Sequence, residues 1–285
     1  MGHWRVFSGM VLLAIGVATA PAQIDNTKRE LIQLGYNQPL EGHGPLAAYG
    51  FYYLNLPQFL RTNLTLRMAV APVYLDAELG ISQAITRNTD LGIGIAGGGF
   101  ADSYDEVRQG KFLQEESFTG HGGGASASIY HLFNPQQRVP LYAVIRGEAY
   151  SSFFERSDDT SHTFELPDNY TTFALRTGLR FGGREPLISP DFAMELSVWH
   201  ELLARTESGT YGFNDDREVE ETVNVFWGRA LLAYTLPKCK HTFAVSLTAG
   251  TSADPDRFSA YRLGGFLPLS AEFPLSLPGY YFQEI

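Results

Sequence analysis

The chain has 285 residues, 44% hydrophobic and 13% aromatic, with only 18% charged and a formal net charge of −10. Abundant aromatic and glycine residues with few charges exclude a disordered chain and argue against a helical bundle, because both residue types are poor helix formers. The basic residues form no cluster, which argues against a nucleic-acid partner, and the single Cys239 permits neither an internal disulfide nor a thiolate zinc site.

At the N-terminus a short segment carrying Arg5 is followed by an apolar run from Val6 to Ala20, with small residues at Ala18, Ala20 and Ala22. This pattern predicts a secretory signal peptide over 1–22, cleaved near Ala20 or Ala22. Residues 23–44 read as a short periplasmic segment and 45–285 as one domain. Nothing later in the chain offers the ~20 consecutive apolar residues of a helical membrane span.

From there the pattern has a period of two, the mark of strands with two different faces. Strands are expected at 45–55, 63–85, 90–101, 119–133, 139–155, 170–182, 191–205, 222–235 and 240–251. Leu31–Asn37 is a further candidate, and a tenth strand is expected in the final segment. On 170–182, Phe173, Leu175, Leu179 and Phe181 oppose Ala174, Arg176, Gly178 and Arg180. On 191–205, Leu196, Val198 and Leu202 oppose Glu195, Ser197 and Glu201, with His200 interrupting the apolar face. The segment 222–235 is less regular, since Arg229 shares a face with Val225 and Trp227. Within 63–85 the apolar phase shifts at Ala71-Pro72; a β-bulge would keep one continuous strand, and a tight turn is the competing reading.

Short connections (Thr86–Asp90, Asn134–Arg138, Gly183–Pro190, Leu236–Cys239) alternate with long polar ones (Asp102–Phe118, Arg156–Asn169, Thr206–Glu221, and one from Ser252). Outer-membrane barrels sort their loops this way, with short periplasmic turns and long extracellular loops. Inside hydrocarbon every backbone polar group needs an internal partner, so a non-helical spanning protein must be a closed barrel. The expected fold is therefore an all-β, antiparallel transmembrane β-barrel with about ten strands present. Arg146, Glu148, Arg176, Arg180, Glu195 and Glu201 would then face its lumen. A secreted β-sandwich with one wet face is the alternative.

Near the C-terminus the chain reads Arg257-Phe258-Ser259-Ala260-Tyr261-Arg262-Leu263-Gly264-Gly265-Phe266 and continues to Leu277-Pro278-Gly279-Tyr280-Tyr281. This resembles the bacterial surface-antigen superfamily of outer-membrane assembly and secretion barrels. There, a Gly-Gly segment ends a strand and leads through an extracellular loop to a Gly-aromatic motif. Leu263, Gly264, Gly265, Phe266, Gly279 and Tyr280 are the positions that match. Pro278 stands where that family usually carries Arg. The resemblance implies a sixteen-stranded barrel with the loop folded into the lumen, of which this chain would be an incomplete piece.

Several patterns in the chain invite a chemical reading. Gly92-Ile93-Gly94-Ile95-Ala96-Gly97 matches a dinucleotide-binding pattern but is not followed by a helix, so a glycine-rich strand is favoured. His121-Gly122-Gly123-Gly124 has the composition of an oxyanion hole without a GxSxG elbow. Ser126, Ser128, His131, His200 and His241 are the parts from which an outer-membrane lipid hydrolase could be built. The acidic groups Asp102, Asp105, Glu106, Glu115, Glu116 and Asp215, Asp216, Glu218, Glu220, Glu221 read as solvated loops in preference to sites for divalent cations. Cys239 reads as incidental.

The composite expectation is a non-catalytic outer-membrane barrel of assembly, secretion or surface-scaffold type, without metal or cofactor. Its partners would be outer-membrane lipid, lipopolysaccharide and the barrel-assembly machinery. A passive pore and a lipid hydrolase are the alternatives.

Overall fold

The computed structural model describes residues 28–37, 47–109, 111–137, 139–182 and 192–259. The expected signal peptide over 1–22 and the family-like positions Leu263, Gly264, Gly265, Phe266, Gly279 and Tyr280 lie outside these.

The described residues form an all-β fold: eleven strands in one antiparallel meander. In chain order these are β1 (Arg29–Asn37), β2 (Ala47–Pro57), β3 (Leu64–Ala71), β4 (Tyr74–Thr86) and β5 (Thr89–Gly98). After a loop bearing the small ribbon β6 (Val107–Arg108) and β7 (Lys111–Phe112) come β8 (Thr119–Leu132), β9 (Leu141–Glu155), β10 (Tyr170–Gly182) and β11 (Phe192–Arg205). A second ribbon, β12 (Gly209–Tyr211) and β13 (Arg217–Val219), precedes β14 (Thr222–Thr235) and β15 (Thr242–Ala253). Each main strand pairs with its sequence neighbours, and β1 and β15 are the two edges. Closure into a barrel is thus not seen among the described residues.

The phase shift at Ala71-Pro72 is a tight turn and not a bulge. Ala71 pairs with Tyr74 and Leu64 with Ile81, so the expected single strand 63–85 is the hairpin β3–β4. Proline has no N–H for a ladder and presets the φ of a turn position, so the strand ends there. The same hairpin interrupts the expected alternation of short and long connections.

The sheet is strongly curled. The Tyr130 hydroxyl on β8 donates to both carboxylate oxygens of Glu78 on β4 at 3.0 Å, although β5 runs between those strands. Arg146 on β9 reaches the same carboxylate at 3.8 Å, across three strand spacings, or about 14 Å in a flat sheet. The glycines of β5 make room for this. A Cβ on Gly92 would sit 2.9 Å from the Glu78 carboxyl carbon, and one on Gly94 would sit 2.6 Å from Ser126 Oγ. The Gly92–Gly97 pattern is therefore a strand floor over which β4 and β8 side chains meet.

Polarity is inverted relative to a water-soluble core. The concave face buries Arg67, Glu78, Ser126, Ser128, Arg180, Glu195, Ser197 and Arg229, while the convex face exposes Ile93, Ile95, Ile145, Leu175, Leu179, Leu196, Val198, Leu232 and Leu247. On β14 the buried residues Val223, Val225 and Trp227 share the concave face with Arg229. Val225 and Trp227 therefore mark the inner side of this strand, and Phe226, Leu232 and Tyr234 the outer one.

Candidate functional site

Alternation along each strand sends every second side chain to the concave face, and curling brings those side chains into contact. Arg67 lies 3.8 Å from both Asp76 and Glu78. Arg146 lies 3.8 Å from Glu78 and 3.6 Å from Glu148. Arg176 donates to Glu201 at 2.7 Å and places its guanidinium 5.4 Å from the Trp227 ring, which stacks on Trp199. Arg180 donates to Glu195 at 3.1 Å, and Ser197 donates to the other oxygen of that carboxylate at 2.9 Å. The six residues singled out by alternation therefore sit on one face as three ion pairs, 146 with 148, 176 with 201, and 180 with 195. Arg67, Asp76, Glu78, Tyr130 and Arg229 belong to the same face and were not singled out. For Arg67, Asp76 and Glu78 the signal was present in the phase of β3 and β4, but the expected continuous strand concealed it; Tyr130 and Arg229 lie on β8 and β14.

Above this face, the long loops after β5, β9 and β11 and the segment after β15 fold together into a dome. Tyr104, Phe118, Phe154, Phe164, Tyr170, Tyr211 and Val219 form one buried cluster, with Phe258 packed against it. Phe258 touches Tyr104, Phe118, Phe154, Tyr170 and Tyr211 at ring separations of 5.7–6.5 Å. Because Tyr104 follows β5 and Phe258 follows β15, this contact joins strands six spacings apart, about 29 Å in a flat sheet.

Charges lock the dome. Glu106, whose side chain is fully buried, accepts from Arg108 at 2.9 Å and from Arg257, with Arg217 at 3.9 Å. Glu116 pairs with Arg108 at 2.8 Å and with Arg217. Arg205 pairs with Asp256, which also accepts from the backbone N–H groups of Glu220, Phe258 and Ser259 at 2.9–3.0 Å. Burial alone would raise the Glu106 carboxyl, but the guanidinium groups of Arg257, Arg217 and Arg108 outweigh it and hold it below the usual carboxylate range. Glu106 and Glu116 are thus neither solvated loop residues, as expected, nor cation ligands: arginines neutralise them.

The candidate hydrolase parts are not brought together. Ser126 and Ser128 point to the concave face of β8 and His131 to the convex face, where it bonds Thr89 at 2.8 Å. His200 also faces outward, 3.0 Å from Asn224 and stacked on Phe226. Gly122, Gly123 and Gly124 lie within the β8 ladder. Cys239 is exposed in the β14–β15 turn. Among the described residues no group of three His, Cys, Asp or Glu side chains is placed to hold a metal, and no helix is long and apolar enough to cross a membrane.

No family model, curated protein or solved structure matches the chain.

Proposed function

We propose that the protein is an integral outer-membrane β-barrel of assembly, secretion or surface-scaffold type, non-catalytic, exported by its N-terminal signal segment. The observation that carries this reading is the inverted polarity of the sheet. Leu196 and Val198 are each 57% exposed and Leu247 is 68% exposed, whereas Arg180 is 2% and Glu195 6% exposed. In water this arrangement would leave a continuous apolar surface well beyond the few hundred Å² of an ordinary monomer. Against lipid tails it is the favoured arrangement.

The outward residues are also graded along the strands. On β10, Phe173 and Phe181 bracket Leu175 and Leu179. Phe153 lies near the dome end of β9, and Phe192, Tyr234 and Phe243 lie near the opposite end of β11, β14 and β15. Aromatic girdles flanking an aliphatic band are the outward pattern of membrane barrels, and strands of 12–15 residues (β8, β9, β10, β11, β14 and β15) exceed the ~9–11 residues needed to cross at a tilt. In this reading outer-membrane lipid and lipopolysaccharide cover the convex face, and the barrel-assembly machinery inserts the chain. The resemblance of 257–281 to surface-antigen barrels points the same way.

Ion pairs reaching across the concave face, with a locked dome above them, favour a scaffold over a passive pore. Planar-bilayer recording of the reconstituted protein tests the choice: no stepwise conductance is expected, and stable unitary steps would establish the pore. Release of acyl chains from outer-membrane lipid, abolished by Ser128→Ala or His131→Ala, would instead establish a hydrolase.

A further inference from the structure

Among the described residues, one arginine of the concave face, Arg229, has no ion pair of its own. Arg229, on β14, is 6% exposed, and its Nε has no hydrogen-bond partner among the described residues. Its electrostatic neighbours are Glu195, which favours its charge, and Arg180, which opposes it. Glu195 is already taken, one oxygen by Arg180 and the other by Ser197. The Nε of Arg180 is likewise buried without a partner.

The register explains why the two guanidiniums share a neighbourhood. Arg180 on β10 pairs with Ser197 on β11, and Ser197 pairs in turn with Arg229 on β14. The two arginines thus flank one serine, two strand spacings or about 10 Å apart at the backbone, well within the combined reach of their side chains. Among the described residues around Ser197 there are two buried positive charges, Arg180 and Arg229, and one negative, Glu195. A buried guanidinium without a counter-charge or hydrogen-bond acceptor is strongly disfavoured. Such a cluster is stable when a small anion completes it.

We propose that Arg180 and Arg229 hold one small inorganic monoanion of the halide type over Ser197. The local excess of one positive charge among Arg180, Arg229 and Glu195 selects a monoanion, and the Glu195 carboxylate disfavours a dianion such as phosphate. The proposal rests on the concave face alone and holds whatever solvent covers the convex face.

The test uses the folded full chain in detergent, unfolded by urea in sodium bromide or sodium gluconate at constant ionic strength. A ligand that binds only the folded state lowers the unfolding constant by the factor 1 + [L]/Kd, about elevenfold at ten times Kd. Saturable protection by bromide but not by gluconate is expected. Arg229→Gln should abolish it, and Arg61→Gln, an exposed turn residue carrying the same charge, should retain it. Equal protection by both salts, or protection that survives Arg229→Gln, would overturn the proposal. Should Arg229→Gln fail to fold, bromide anomalous scattering from crystals of the unaltered protein decides. A peak in contact with the Arg180 and Arg229 guanidiniums supports the site; water alone there, or an empty position, refutes it.

Discussion

Arg146 and Arg176 stand directly opposite each other across β9 and β10. Like charges in cross-strand register repel, yet both are held on the concave face because each has its own carboxylates. Glu78 and Glu148 flank Arg146, and Glu201 receives Arg176. The arginine pair is thus stable only as the centre of a larger network, which makes its acidic partners the sensitive positions.

Removing one such partner exposes that dependence. Glu201→Gln removes the carboxylate that accepts from Arg176 and leaves that guanidinium facing Arg146, with Glu148 as a weaker counter-charge shared with Arg146. The expected cost is about 2 kcal/mol, below the ~3–5 kcal/mol of a fully buried pair because 15–19% of each side chain is exposed. Urea unfolding in detergent measures it. The double change Arg176→Met with Glu201→Leu should restore most of the loss, since replacing both partners removes the unpaired charge.

A charge placed on the convex face discriminates between lipid and water as its solvent. Val198→Arg should cost roughly 2–4 kcal/mol in a bilayer, as for a lipid-facing position near the midplane. On a water-facing strand the same change would be close to neutral. Folding into lipid vesicles, followed by tryptophan fluorescence against denaturant, reads the difference.

The dome should fail as a unit. Phe258→Ala removes the ring shared by five aromatic neighbours, at an expected cost of about 2–3 kcal/mol, since Phe258 is itself only half-buried and full burial would give ~3–5 kcal/mol. The exposed Lys111 in the loop after β5 then becomes a trypsin site. Limited proteolysis should show cleavage after Lys111 in the variant under conditions that spare the parent chain.

Acid should loosen the same dome. The Glu106 carboxyl is held below its ordinary value in the folded state, so its stabilising contribution is present in full above the unfolded value of about 4.3. It is lost as pH falls through the lower folded value. Trypsin-independent probes, such as acid-protease cleavage of loop 99–118, should therefore report an intact dome at pH 5 and an open one only below about pH 4. Glu106→Gln should remove that acid step and cost about 3 kcal/mol at neutral pH, because Arg257 loses its carboxylate.

How much of this was readable from the chain depends on the range of each interaction. Period-two alternation is local, so β10 and β14 were located to the residue and the charged positions of β9, β10 and β11 could be assigned to one face. The turn at Pro72 was harder, because a phase shift beside a proline suits a bulge as well as a hairpin, and only the pairing of Ala71 with Tyr74 separates them. Phase alone could not orient β14 either, where Val225, Trp227 and Arg229 share the inner face. The dome was not readable at all. Glu106 meets Arg257 across 151 residues and Glu116 meets Arg217 across 101, separations over which local patterns carry no information. Acidic loops looked solvated for the same reason.

The contact between the convex face and lipid is tested most directly by nitroxide labels placed one at a time through Leu196→Cys, Ser197→Cys and Val198→Cys, each in a Cys239→Ser background, with the protein in lipid bilayers. The expected result alternates along β11: frequent collisions with dissolved oxygen at 196 and 198, few at 197, and few collisions with a water-soluble nickel chelate at any of the three. Frequent nickel collisions at 196 and 198 would contradict the account, since they would place water where the lipid should be.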